Sequence, residues 1–394
     1  MHQLFLITNP GSSSRKYSIY EDGNILANLH FEYENGAIIC TFSQAGKKQK
    51  LDINIDNLSA APQLIPKILT EAKIINDERH LDAIIARIVA PTDYFTDAHI
   101  VDEEFIAKLG HLKRYIPIHG EMFLSEIKLL RDCFAGVRIV AVSDSHFHKT
   151  RPELMHYYAI NKDIADRYGI KRYGYHGFSC EFISRYMRQE NILAPKTVVA
   201  HLGGGASVTA LQNGLSHDTS MGFSPLEGLC MAARAGDIDV LAALAIKREL
   251  NFKNDADLAF YINRQCGLLG LSGLSDDMRE ILAASKAGNQ RATLARDMFA
   301  YRAQTNIAKM AASMAGIDAL VFTATIGERS DPIRKLIVEK MAYLGFELDQ
   351  DKNQNPTFTK RHALISTPSS KPVYIVKTDE AAIAIRNAQE LLAS

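Results

Sequence analysis

The chain has 394 residues, 47% of them hydrophobic, with 45 basic residues balancing 45 acidic ones. That length allows two domains and a large buried core, and a net charge of zero supplies no global field for nucleic acid or an anionic membrane. No run of 18 apolar residues suggests a membrane span, the N-terminus has neither a basic region nor a small-residue cleavage site of a secretory signal, and five scattered cysteines without a CxxC pair fit reduced thiols, so a cytoplasmic location is expected.

The first elements read as a hairpin. Leu4 to Ile7 is an apolar strand that enters a polar turn containing Asn9, Gly11, Ser12, Ser13 and Ser14. Lys16 to Tyr20 returns, and Asp22-Gly23 is a tight-turn signal. Ile25 to Phe42 and Gln49 to Ile55 alternate like further strands, and Ala61 to Ile75 has helical spacing. "HLDAIIARIVAP" predicts a buried strand ending at Pro91 with Arg87 inside an apolar run, either ion-paired or presented to a cleft. Residues 103 to 112 read as a helix. "RYIPIHGEMFLSEIKLLRDCF" passes from a short strand through Pro117 and His119 into another. "VRIVAVSDSHFH" predicts a strand with Asp144 near its end. On such a strand Asp144, His146 and His148 would share a face, a spacing that zinc can use.

A second hairpin follows "YGYHGFSCEFISRYM". Val198 to Leu202 is apolar, Gly203, Gly204 and Gly205 form a turn, Ala206 to Leu211 alternates, and Asn213-Gly214 closes it. A glycine triplet there lets backbone N–H groups approach an anion, or is an ordinary turn. Two such hairpins suggest a duplicated unit, with polar turns facing a shared cleft and the ends of a polyphosphate. Next come a loop with Arg234, a helix, and "GLLGLSGLSDDMREIL", a loop whose Ser275-Asp276 would cap a helix beginning near Asp277. Residues 290 to 315 read as a long helix whose Met298, Met310 and Met314 are core or dimer interface. "DALVFTATIGERS" reads as a buried strand and a turn at Gly327, and "KPVYIVKTDEAAIAIRNAQELLA" as a strand, a turn and a closing helix. The alternation argues α/β. There is no GxxxxGK[ST] and no GxGxxG after a strand, which excludes a Walker loop and disfavours a Rossmann site.

The ordered blocks "NPGSSSRK", "RYGYHGFS", "HLGGGASVTALQNGLSHDTSMGFSPLEGL", "GLSGLSDDMRE", "FTATIGERSD" and "TDEAAIAIR" resemble the acetate and propionate kinase family of the sugar kinase, heat-shock chaperone and actin superfamily. The resemblance implies two duplicated actin-like (ribonuclease H-like) domains of βββαβαβα type around a central cleft, over residues 1–145 with 381–394 and residues 146–380, in a homodimer that binds neither nucleic acid nor membrane. It implies Mg²⁺-dependent (or Mn²⁺-dependent) phosphoryl transfer between ATP and acetate, giving ADP and acetyl phosphate. Asp144, His176, Arg234 and Arg87 would form the catalytic centre, with His119 nearby. Arg87, Val89, Ile118, Tyr175 and Pro225 would hold the acid. Lys16, His201, Leu202, Gly203, Gly204, Gly205, Asp277, Met278, Arg279, Thr325, Ile326, Gly327, Glu328 and Arg329 would hold the nucleotide, and Asn9 and Glu380 the metal.

The chemistry agrees with such a set. A carboxylate is ionised at neutral pH, so transfer is limited by repulsion between two anions rather than by the lack of a base. Positioning and charge neutralisation answer that, and guanidinium forks are suited to both anions. Asp144 is therefore expected to orient an arginine or metal-bound water. The chain departs from the family pattern at Ala86, Ala90, Pro91 and Thr92 beside Arg87, at Gly204, at Tyr175, and at Thr325 and Arg329 beside the base site. Two alternatives stay open on these residues: another acid or phosphoryl donor, such as propionate or pyrophosphate, and a nucleotide-binding relative without catalysis.

Overall fold

The structure is a computed structural model that describes residues 3–10, 14–34, 36–76, 78–112 and 117–393, with the side chains of 117–119 outside the description. The chain divides into two units, Met1–Asp144 with Glu380–Ser394, and Ser145–Asp379.

The first unit is built on an eight-stranded sheet of order β5-β4-β3-β2-β1-β6-β8-β7. Its strands are β1 (Leu4–Pro10), β2 (Ser14–Glu21), β3 (Asn24–Glu34), β4 (Ala37–Gln44), β5 (Lys47–Leu51), β6 (Ala83–Ile88), β7 (His99–Ile100) and β8 (Arg138–Ser143). β1 to β5 form an antiparallel meander, and β6 and β8 add in parallel beside β1. Asp22 (φ +50°) and Gly23 (φ +79°) supply the two left-handed residues that a two-residue hairpin turn needs. Burial on both faces explains the near-continuous apolar run in β6. The helix Glu380–Ala393 packs on β6 and β8 and buries Ile383, Ile385 and Ala388.

The second unit repeats the plan with six strands in the order β11-β10-β9-β12-β14-β13. They are β9 (Lys196–Leu202), β10 (Ala206–Gln212), β11 (Leu215–Thr219), β12 (Ala319–Thr323), β13 (His362–Leu364) and β14 (Val373–Val376). Asn213 (φ +53°) and Gly214 (φ +81°) turn β10 into β11 as Asp22 and Gly23 turn β2 into β3. The run β3-β2-β1-β6-β8 thus has its counterpart in β11-β10-β9-β12-β14, three antiparallel strands followed by two parallel ones. The helix Gly177–Gln189 covers this sheet, with Cys180, Ile183 and Met187 against Val199, Val321 and Val376. Met310 and Met314 are buried. Among the described residues no helix is long and apolar enough to cross a membrane.

Four local expectations change. His146–Thr150 is a short 3₁₀ turn, not the continuation of β8, so Asp144, His146 and His148 do not share a strand face. The segment Ala324–Arg329 is a short helix rather than a turn, with Gly327 buried inside it. The cap of the helix Met278–Lys286 is Asp277 itself, which accepts from the Arg279 N–H at 2.8 Å, while Ser275 accepts from Asp277 N–H. "GLLGLS" before it is a helical turn, Gly267–Ser272.

Candidate functional site

In the first unit the parallel register pairs Arg87 of β6 with Val142 of β8, and Asp144 lies just beyond β8 with its N–H donating to the Ile88 carbonyl. The Arg87 guanidinium lies 3.0 Å from the almost wholly buried Asp144 carboxylate and 3.0 Å from Glu380, the first residue of its helix. Burial works against the guanidinium charge, but Asp144 and Glu380 together outweigh it and raise its pKa above the ordinary arginine value. Asn9 and Lys16 face each other across β1 and β2 and are both exposed. The neighbouring inward residues Thr8 and Tyr17 donate to Glu126 Oε1 at 3.4 and 2.7 Å, and Arg15 lies 3.6 Å from Oε2. Burial pushes the Glu126 carboxyl up. Val89 packs beside Ile88 and Phe95. The turn residues Gly11, Ser12 and Ser13 and the side chains of Ile118 and His119 lie outside the described residues.

In the second unit His176 is the residue before the helix Gly177–Gln189 and has a left-handed backbone, φ +60°. Its Nδ1 lies 2.9 Å from the Ser207 hydroxyl, and His201 Nδ1 lies 2.9 Å from that of Ser179. Ser207 and His201 are cross-strand partners on β10 and β9, and the two imidazoles stack with centroids 4.0 Å apart. A methyl group on Gly205 would lie 3.1 Å from His176 Nε2 and 3.6 Å from Arg234 Nη1, so the missing side chain is what lets these two groups converge. Gly204 borders open space, and its carbonyl accepts from Ala232 N–H.

Arg234 has no carboxylate ion partner among the described residues; Nη1 reaches the Pro225 carbonyl at 3.4 Å. Burial and the neighbouring Arg264 push its pKa down to about 10. Tyr175 is buried, and its hydroxyl, absent from a phenylalanine, donates to the Phe223 carbonyl at 2.7 Å.

A cavity of about 710 Å³ is lined by Gly204, Asp277, Met278, Arg279, Thr325, Ile326 and Arg329, together with Ala232 and Ser330, which the sequence reading missed. His201, Leu202, Gly203, Gly205, Gly327 and Glu328 do not line it. Gly327 packs against Leu202, and the Glu328 carboxyl, raised by burial, accepts backbone N–H bonds from Thr378 and Ala324. Sequence reading also missed Ser207, which lies on His176, Ser179, which lies on His201, and Ser145, and it read His148 only as a possible zinc ligand. The positive φ of His176, which would have drawn attention to its neighbours, is not visible in sequence. His148 is buried with Nδ1 on Ser216 Oγ and Nε2 on the Tyr175 carbonyl, which leaves neither ring nitrogen for zinc.

A model of the Acetokinase family matches residues 4–386. The chain is 37% identical to an acetate kinase of Caldanaerobacter subterraneus subsp. tengcongensis, with 98% of each chain covered. Among solved structures it is similar to Porphyromonas gingivalis acetate kinase (TM-score 0.85, 32% identity, 99% of this chain and 100% of that one). It is also similar to a propionate kinase from Francisella tularensis subsp. tularensis (TM-score 0.89, 30% identity, 98% of each).

Proposed function

Because the chain belongs to the Acetokinase family, we propose that it is an acetate kinase, a phosphotransferase that moves the γ-phosphoryl group of ATP directly and reversibly onto acetate. The observation that carries this reading is the approach of Arg234 Nη1 and His176 Nε2 to one point at Gly205, in the unit whose nucleotide-sized cavity is lined by Gly204. An arginine without a carboxylate partner and a neutral-or-charged imidazole are receptors for a transferring phosphoryl group, whose charge spreads over its equatorial oxygens. The acid arrives ionised, so no residue needs to act as a strong base. Asp144, held against Arg87, fits the work of orienting that guanidinium for the acid. Within the second unit, Tyr175 and Pro225 are the residues proposed to face its methyl group. The cavity beside Thr325 and Arg329 supports a nucleoside triphosphate over pyrophosphate, since neither side chain fills it.

The donors expected for Mg²⁺ are both oxygen, the Asn9 amide and the Glu380 carboxylate, with Asp144 beside Arg87 as the group that would orient metal-bound water. That set suits Mg²⁺ or Mn²⁺, which take one or two carboxylates with waters and phosphate oxygens. No group of three His, Cys, Asp or Glu side chains that could hold a metal ion exists among the described residues. Bound there, the metal would neutralise phosphate charge and orient the nucleotide. A homodimer is supported by Val240 (71% exposed), Leu241 (72%) and Leu244 on one helix, with Leu250 and Phe260 nearby in sequence. A cytoplasmic location accompanies this reading.

The test is to incubate the protein with Mg-ATP and acetate, propionate or butyrate and trap acyl phosphate with hydroxylamine, beside a pyrophosphate arm. Hydroxamate from ATP and acetate is expected. Product only with pyrophosphate, or only with a longer acid, overturns the donor or acceptor assignment; tight ATP binding without any product overturns the enzyme assignment.

A further inference from the structure

We propose that Ser145 and His148 are positioning residues that clamp the backbone of Gly174–Tyr175 and thereby aim His176; this rests on the reading of His176 as a group that meets the transferring phosphoryl. The segment they hold is one that does not hold itself. Gly174 has φ +79° and His176 φ +60°, so a residue with a side chain stands in a left-handed conformation two positions after a glycine that also has a positive φ. Such backbones persist only where the surroundings over-determine them.

The surroundings do so here. Ser145 Oγ donates to the Gly174 carbonyl at 2.6 Å. His148 Nε2 lies 2.9 Å from the Tyr175 carbonyl, and because a carbonyl only accepts, Nε2 carries the proton. In the neutral ring Nδ1 then accepts from the Ser216 hydroxyl at 2.8 Å, which fixes both tautomer and ring orientation. The His148 ring is fully buried and packs on Gly174 so closely that a methyl there would lie 2.8 Å from its Cδ2 and 2.7 Å from Thr219 Cγ2. Two successive carbonyls before His176 are therefore fixed by two residues of one short 144–148 stretch. The Tyr175 hydroxyl on Phe223 and the Ser207 hydroxyl on His176 fix the side chains that follow. Loosening the clamp swings His176 Nε2 away from the point it shares with Arg234 at Gly205, while the cavity lined by Asp277–Arg279 and Thr325 involves neither Ser145 nor His148.

A double-mutant cycle tests this in the intact enzyme. His148→Ala is expected to lower kcat about 10²-fold, the cost of a misplacement near 1 Å, with KM for ATP within about twofold. Added imidazole should restore part of the rate by filling the vacated site. In a His176→Ala background the same change should cost less than about threefold, because the residue it serves has gone. Ser145→Ala, which removes one hydrogen bond, should cost up to about tenfold and serves as the second variant if His148→Ala does not fold. An undiminished 10²-fold loss in the His176→Ala background, or a loss that tracks the unfolded fraction, overturns the clamp. Should wild-type protein make no acyl phosphate, the functional reading fails on its own. The clamp is then read from the ring resonances of isotope-labelled His176, which must shift in Ser145→Ala; unchanged resonances refute it.

Discussion

The two halves of this chain share one sheet order but treat a half-buried arginine in opposite ways. Arg87, in the first unit, lies between Asp144 and Glu380, and its charge is more than compensated there. Arg234, in the second, has burial and another arginine acting on it and no carboxylate against it among the described residues, so its pKa falls to about 10. The difference teaches what each can do. An arginine already paired can exchange one carboxylate for another at little electrostatic cost. An arginine left unneutralised makes the empty protein less stable and becomes stable only when an anion arrives.

The comparison breaks most visibly in paired substitutions. Arg234→Met and Arg87→Met are each expected to lower kcat by about 10²- to 10³-fold, yet to move stability in opposite directions. Arg234→Met should raise the unfolding free energy of the ligand-free protein by about 1–3 kcal/mol, because it removes an uncompensated charge. Arg87→Met should lower it by about 2–4 kcal/mol, because Asp144 loses its guanidinium. Denaturant melts read both, and the same sign for the two would end the contrast.

Asp144→Asn sharpens the first half. It keeps the shape and removes the charge that orients Arg87, so a loss of about 10- to 100-fold in kcat/KM for the acid is expected. Wild-type rate and unchanged metal dependence in this variant would refute the role. Tyr175→Phe probes the second half, deleting the hydroxyl that donates to Phe223. A loss of about 1 kcal/mol in stability is expected, readable by urea titration.

Glu126→Gln gives the smallest effect and depends on pH. Burial raises the Glu126 pKa in the folded state. The folded chain then keeps its proton to higher pH than the unfolded chain, and this group's contribution is lost as pH rises through the folded value. Glu126→Gln removes that loss. It should melt a few degrees higher than wild type at pH 8 and no higher at pH 4; an advantage that is larger at pH 4 would reverse the sign of the argument.

Both hairpins were legible because Asp-Gly and Asn-Gly report a local backbone requirement that the sequence states directly. The long helix and the buried strands followed from periodicity in the same way. The segment Ala324–Arg329 was misread because Gly327 suggests a turn, whereas its glycine lies buried against Leu202 and the helix is held in place by packing. Asp144, His146 and His148 alternate like strand residues, but the chain turns at Ser145, and the partner that gives His148 its purpose is a carbonyl 27 residues away. The Arg87 cluster depends on a carboxylate 293 residues distant. Local pattern reaches neither separation; only the matching family motifs brought Arg87, Asp144 and Glu380 onto one page of expectation.

The helix Glu380–Ala393 belongs to the first unit although the whole of the second intervenes before it. On the ribosome this imposes an order of events. When Asp144 leaves the exit tunnel, β6 and β8 lack the helix that covers them, and Arg87 lacks one of its two carboxylates. The nascent first unit must wait for the intervening segment to be translated, roughly 10–50 s at 5–20 residues per second. Ser145–Asp379, by contrast, is continuous in sequence and waits for no residue beyond its own span. The half of the molecule that begins first is thus the half that finishes last, and its exposed, uncovered strands are the stretch of nascent chain for which a holdase chaperone has most to do.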